Sequence, residues 1–253
     1  MPHIDKHKTG SFGWIELGTS DQNGAKQFYG SLLGWNFEDH SMGPQGVYTM
    51  FKLDGKDLGG CYAVSMMPGV PPHWGIFISV EDVDRASARA GELGGKIVRP
   101  AFDVGPYGRM AVIQDPAGAH LSAWQPKTHM GMGITGENGA FCWADLLAED
   151  PGRVKTFYEG VFGWSLEPGK DASGYIHIKN GGDYIGGMRE KPPQAPPHWM
   201  IYFQTADCGA STAKAKELGA KIYVEPMDIP GAGRFAVLDD PQGAGFALFQ
   251  PQH

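Results

Sequence analysis

The stretch VPPHWGIFIS (residues 70–79) returns 125 residues later as APPHWMIYFQ (residues 195–204), a Pro-Pro-His-Trp lead into an apolar run. Around it the rest of a long repeat falls into register. GELGGKI (91–97) matches KELGAKI (216–222), and GRMAVIQDPAG (108–118) matches GRFAVLDDPQG (233–243), at the same offset. Upstream, FGWIELGTSD (12–21) matches FCWADLLAED (141–150) and FYGSLLGW (28–35) matches FYEGVFGW (157–164), now offset by 129. The change of four predicts a slightly longer loop in the first half, between Trp35 and His73. KTHMGMGITGENG (127–139) is glycine-rich and without periodicity, which reads as a linker. The expected layout is a tail over 1–10, domains over 11–126 and 140–253, and the linker over 127–139.

Each half contains a second, weaker repeat. WIELGTSD alternates apolar and polar residues up to Asp21, after which Ala25, Phe28, Leu32 and Leu33 recur at helical spacing until Gly34. Short β-type runs follow, VYTMFKL and LGGCYAV, and HWGIFISVED then starts the cycle again. Every quarter reads strand, helix, three strands, an α+β pattern of four βαβββ modules. Asp21, Asp82, Asp150 and Asp207 stand at the strand-to-helix junctions, where a carboxylate caps a helix N-terminus. The Asp-Pro-x-Gly segments at 115–118 and 240–243 have turn chemistry.

The 253 residues are 42% hydrophobic, enough for a conventional core, and carry a formal charge of −7 without long runs of one sign. Nucleic acids and anionic membranes need clustered Lys and Arg, so a small ligand is the expected partner. No signal-peptide core and no apolar run of membrane length occurs, which predicts a cytoplasmic protein. The three cysteines (Cys61, Cys142, Cys208) make neither a disulfide framework nor a Cys-x-x-Cys pair.

Four such modules in tandem, with a strand ending in Asp, then Phe-Tyr, Leu-Gly-Trp in the first half, and a closing Asp-Pro-x-Gly turn, resemble the vicinal oxygen chelate superfamily. Glyoxalase I, bleomycin-resistance proteins, methylmalonyl-CoA epimerase and ring-cleaving dioxygenases belong to it. More narrowly, the chain looks like the tandem two-domain proteins called glyoxalase-like or hydroxylase-like. The resemblance implies cup-shaped mixed sheets from paired modules. It also implies, in active members, one divalent metal held by His, Glu or Gln from the first and last strands of the modules. At the first-strand positions this chain has Trp14, Gly75, Trp143 and Met200, and at the last-strand positions Ser122 and Ala247. Gly59-Gly60 and Gly186-Gly187 occupy the corresponding strands of the other modules. The usual metal site is therefore expected to be missing, with no cofactor in its place.

Alternation along the strands lists what shares a face with those positions. The first cup should contain Trp14, Glu16, His73, Phe77, His120, Ser122 and Trp124; the second should contain Trp143, Asp145, His198, Met200, Tyr202 and Phe249. Each has aromatics, a carboxylate and a histidine, a composition suited to a flat, partly polar organic ligand. A carboxylate on an apolar face has a raised pKa and can act as general acid or base. Arg109 and Arg234, each after a glycine, either brace a turn, pair with a carboxylate or bind an anionic substrate. A displaced metal site from Glu16 with His73, or Asp145 with His198, completed by water or His120, would have too few protein ligands for tight binding.

Two readings follow. One is an enzyme acting on a small carbonyl or aromatic metabolite, with Glu16 and His73, or Asp145 and His198, as its acid-base pair. The other is a protein that sequesters such a ligand without chemistry, Trp14, Phe77 and Trp124 serving as stacking surfaces. A metal-dependent lyase or dioxygenase is disfavoured. A monomer or homodimer is expected, since two fused domains can supply what single-domain relatives obtain by pairing.

Overall fold

A computed structural model describes residues 4–67, 69–169 and 174–252. The first module comprises β1 (Phe12–Thr19), α1 (Gln22–Leu33), β2 (Asn36–Ser41), β3 (Val47–Leu53) and β4 (Lys56–Ala63). The second comprises β5 (His73–Ser79), α2 (Val83–Glu92), β6 (Lys96–Val104), β7 (Gly108–Gln114) and β8 (His120–Pro126). The second half repeats the order with β9 (Phe141–Ala148), α3 (Lys155–Phe162), β10 (Ser165–Pro168), β11 (Ile176–Asn180) and β12 (Asp183–Glu190). It closes with β13 (His198–Gln204), α4 (Cys208–Glu217), β14 (Lys221–Ile229), β15 (Gly233–Asp239) and β16 (Gly245–Pro251). The four βαβββ modules are thus present as expected.

The junction aspartates act as caps. Asp21 accepts from the Asn23 and Gly24 amides, Asp82 from Arg85, Asp150 from Gly152 and Asp207 from Ala210. Helix α1 stops at Gly34, whose φ of 77° is the left-handed value glycine adopts without steric cost.

Each half forms one eight-stranded mixed sheet, in the order β2-β3-β4-β1-β5-β8-β7-β6 for the first and its counterpart for the second. At the centre β1 and β5 run antiparallel, while β1–β4 and β5–β8 are parallel. The two modules of a half therefore close on each other, so each cup belongs to one half.

The faces opposite the cups meet. Trp35 and Trp74 of the first half pack against Phe203 of the second, and Phe12 packs against Phe141, Trp164 and Trp199, in one continuous core. Helix α1 touches α4, and α2 touches α3. Since each sheet turns its helix-bearing side to this core, the two cups open away from it. Segment 127–139 runs back over the first half: the Met132 amide donates to Gly13, that of Gly133 to Asp57, and Met132 and Ile134 are buried. The N-terminal residues lie along it, with the Ile4 amide donating to Gly133. Among the described residues no helix is long and apolar enough to cross a membrane, and the three cysteines are free thiols.

Candidate functional site

The register across β1, β5 and β8 aligns the residues of the first cup. Trp14 lies opposite Phe77, Glu16 opposite Gly75, Gly18 opposite His73, Phe77 beside Ser122 and Ser79 beside Trp124. Glu16 accepts a 2.8 Å hydrogen bond from the Tyr48 hydroxyl, which in turn accepts one of 3.1 Å from the Trp14 indole. Tyr48 reaches the carboxyl group because β4 carries Gly60 beneath it; a β-carbon there would strike its ring and hydroxyl. Burial pushes Glu16 up to about 7, against the smaller opposing effect of the Tyr48 hydrogen bond. Gly75, across from Glu16, faces open space: a β-carbon there would meet nothing closer than the Glu16 carbonyl oxygen at 3.6 Å.

His73 stands at the cup's end. Its Nδ1 lies 2.9 Å from the Pro71 carbonyl oxygen and its Nε2 3.4 Å from the Tyr62 hydroxyl. A carbonyl only accepts, so Nδ1 carries the hydrogen and Nε2 presents its lone pair to Tyr62. Glu16 and His73 are diagonal neighbours and, among the described residues, share no hydrogen bond; Tyr62 lies between their influences. Burial, and then the Glu16 charge, push the Tyr62 hydroxyl pKa up. His120 stands at the start of β8, where partial desolvation of its ring lowers its pKa against the opposing charge of Asp115, with a smaller lowering from His73.

Segment 127–139 takes part of the aromatic wall. The His129 ring packs edge-on against Trp14 at 4.6 Å, and its carbonyl accepts from the Trp124 indole at 3.3 Å. Trp14 and Trp124 therefore have their polar atoms committed within the protein, while Phe77 stands edge-to-face with Trp124 at 6.4 Å.

The second cup has the same frame with different chemistry. Asp145 Oδ1 accepts from the Tyr175 hydroxyl at 2.7 Å and the Trp143 indole at 3.1 Å, and Oδ2 accepts from the Tyr202 hydroxyl at 2.7 Å. Gly187 makes room for Tyr175 as Gly60 does for Tyr48. Several exchanges separate the cups. Phe77 offers no hydroxyl where Tyr202 does, and Tyr62 stands where the second half has Arg189, whose Nε is 3.8 Å from Asp145 Oδ2. The floor also differs, since Leu147 and Met200 fill the places of Gly18 and Gly75 and pack with Tyr202, Phe235, Val237 and Ala247. His198 repeats His73, its Nδ1 2.8 Å from the Pro196 carbonyl, and burial lowers its pKa.

The two arginines lie outside the cups. Arg109 points to the helix side, paired with both oxygens of Asp84 at 2.9 Å and with Asp103 at 3.6 Å. Arg234 meets Asp228 and the Pro226 carbonyl, and with Asp207 lines an open groove of about 670 Å³ beside α4. Their hydrogen bonds thus go to structural partners rather than toward Glu16 or Asp145.

The donor set does not fit the family's metal. The positions that would hold it carry Trp14, Gly75, Ser122, Trp143, Met200 and Ala247, and among the described residues no three His, Cys, Asp or Glu side chains are placed to hold an ion. Among the described residues no second carboxylate acts on Glu16, and His73 turns its lone pair to Tyr62.

Four residues that shape the cups escaped the sequence reading: Tyr48, Tyr62, Tyr175 and Arg189. A signal existed. Tyr48 with Gly60 and Tyr175 with Gly187 repeat at an offset of 127, a register hidden between the two offsets of the stronger matches.

A family model described as "Glyoxalase/Bleomycin resistance protein/Dioxygenase superfamily" matches residues 11–122 and 141–248. A Mycobacterium tuberculosis protein named "Putative glyoxylase CFP32" is 40% identical over 260 residues, spanning 99% of this chain and 98% of its own. The "Anthracycline biosynthesis protein DnrV" of Streptomyces peucetius is 32% identical over 261 residues, spanning 95% and 93%. Among solved structures, the Mn(II)-bound glyoxalase from Novosphingobium aromaticivorans superposes with a TM-score of 0.68 at 13% identity, over 96% of this chain and 82% of that one. The 2,2',3-trihydroxybiphenyl 1,2-dioxygenase from Sphingomonas wittichii gives 0.67 at 12%, over 96% and 91%. At such identities these two share the fold alone.

Proposed function

Since the chain belongs to the glyoxalase/bleomycin resistance protein/dioxygenase superfamily, we propose that its first cup moves a proton beside the carbonyl of a small, flat, carbonyl-bearing or aromatic metabolite, with Glu16 as the acid-base group. One observation carries this reading. Glu16 lies in an aromatic cup whose burial pushes its carboxyl group up to about 7, and among the described residues a single hydrogen bond, from Tyr48, reaches it. A carboxyl group with that pKa is divided between its two forms near neutrality, so it can take a proton in one step and return it in the next. The ionised form removes a proton from the carbon next to the carbonyl, and the neutral form returns it to the neighbouring atom. Tyr48 holds one oxygen in place, leaving the other for this exchange. The Tyr62 hydroxyl gives its one proton to His73 Nε2, so toward a substrate it offers an acceptor. The names of the relatives, a glyoxylase and proteins of anthracycline biosynthesis, favour carbonyl-rich and flat aromatic substrates respectively.

The test is Glu16→Gln. With a substrate identified by screening aromatic ketones and 2-oxoaldehydes, turnover should fall by about 100-fold or more while binding persists. The wild-type rate should follow a single ionisation near 7. Undiminished turnover in the variant overturns the reading. Sequestering without chemistry is the second reading, favoured by the second cup, where Asp145 is already committed to three donors. Ligand binding without product across the same screen would establish it.

A further inference from the structure

We propose that the open groove beside α4 binds a zwitterionic amino acid, its carboxylate on Arg234 and its ammonium on Asp228. The groove lies on the helix side of the second sheet. Arg234 pairs with Gln250, whose Oε1 accepts from the Cys208 amide at the start of α4, whereas Phe235 and Phe249, one residue along, face the cup. The proposal is therefore independent of the proton-transfer reading.

The first half shows what this place holds when the chain itself fills it. Arg109 donates through Nε and Nη2 to the two oxygens of Asp84, each at 2.9 Å, and Asp103 accepts from the Lys127 ammonium at 2.9 Å. One carboxylate thus comes from the first turn of α2, and one ammonium from the residue after β8. The second half keeps the frame. Asp228 and Arg234 are in register as Asp103 and Arg109 are, and Gln250 reaches the Cys208 amide as Gln125 reaches that of Val83. The Gln252 amide donates to the Ala232 carbonyl as that of Lys127 donates to Tyr107. Both inserted charges are gone, however. At the offset of 125, Gly209 stands for Asp84 and Gln252 for Lys127.

The place they vacate is the groove of about 670 Å³, which Gly209, Asp228, Arg234 and Gln252 line. A β-carbon on Gly209 would meet only Asp207 Oδ1, at 3.4 Å, so the room for a carboxylate is open. Arg234 turns Nη1 to Asp228 at 3.4 Å and Nη2 to the Pro226 carbonyl at 3.1 Å. Its Nε, the atom whose counterpart meets Asp84, has no acceptor among the described residues.

The charge balance selects the ligand. The groove holds one cation, Arg234, and two carboxylates, Asp207 and Asp228. Asp84 and Lys127 together add no net charge to the same set in the first half, whereas an anion alone would meet two like charges and a cation alone would leave Arg234 Nε unused. A ligand with both charges replaces both missing side chains, and a planar carboxylate suits the guanidinium edge. Ile229, Pro230 and Pro251 line the groove and supply apolar contact for the carbon chain between the charges. Since the pairs are solvent-exposed, the affinity is on the order of 1 mM.

Titration of the full, amide-labelled chain by NMR with 4-aminobutanoate and 6-aminohexanoate, against butanoate and butylamine, tests the proposal. At least one amino acid should bind about fivefold or more tightly than either singly charged compound, shifting the amides of Gly209, Arg234 and Gln252. Arg234→Gln should remove that preference. The double variant Gly209→Asp with Gln252→Lys, which restores the first half's own pair, should stay folded and lose binding about tenfold or more. Equal binding of amino acids and singly charged compounds, shifts confined to the cups, or undiminished binding in either variant overturns it. Loss of turnover in Glu16→Gln bears only on the first cup.

Discussion

At the scale of single residues, the two cups show how little separates a poised carboxyl group from a saturated one. Glu16 receives one neutral hydrogen bond and is raised to about 7 by burial; Asp145 receives three donors with a cation at 3.8 Å. The raised value links folding to pH with a definite sign. Unfolded, Glu16 titrates near its ordinary 4.5, so between that value and about 7 the folded protein holds a proton that the unfolded chain has released. This contribution is fully present below the unfolded pKa and is lost as pH rises through the folded one, by about 3 kcal/mol at most. Glu16→Gln should remove it. Urea midpoints for the wild type should fall relative to the variant between about pH 4.5 and about pH 8; parallel curves would show that Glu16 is not buried as described. Tyr48→Phe removes the hydrogen bond that favours the ionised form, so the rate profile should move to higher pH.

At the scale of elements, β3 and β4 carry a device that neither strand shows alone. Tyr48 from one lies across Gly60 of the other, and Tyr175 across Gly187 repeats it. Alanine is ordinarily the better strand residue of the two, yet Gly60→Ala and Gly187→Ala should destabilise by about 1–3 kcal/mol because the added methyl displaces a buried ring. Denaturant unfolding checks the cost. The rate profile of Gly60→Ala should shift as that of Tyr48→Phe does. The helices are simpler: Asp82 donates nothing to the cup and caps α2, so Asp82→Ala should cost about 1 kcal/mol and leave turnover alone. This division was legible in advance for the caps, which act within four residues. It was not legible for Tyr48 and Tyr175, whose role depends on which strand lies beside them.

At the scale of the whole molecule, the repeated Trp of Pro-Pro-His-Trp finds its use. Trp74 donates to the Tyr29 hydroxyl, which donates to Asp240 of the other half; Trp199, Tyr158 and Asp115 make the reciprocal set. Trp35 donates to the Gly139 carbonyl, and Trp164 to that of Gly10, again in exchange. This is the two-sided arrangement of a symmetric dimer within one chain. With the core shared, calorimetry should show one unfolding transition rather than two. Tyr29→Phe leaves Asp240 short of a buried donor and should cost about 1–3 kcal/mol. Residues 1–126 expressed alone retain both Tyr29 and Asp115 and should associate into dimers, measured by light scattering; a stable monomer would show that the halves fold independently. The sequence by itself determined the four modules, their caps and turns, and the alternation of the central strands, because strand alternation, helical spacing and turn chemistry act over a few neighbouring residues. Only the tertiary structure decided that each half closes its own cup, that the cups face away from a shared core, and that Tyr48 leaves Glu16 poised while Tyr175 and Tyr202 saturate Asp145. Those outcomes depend on strand pairing and burial between residues tens to hundreds of positions apart, which no local pattern encodes.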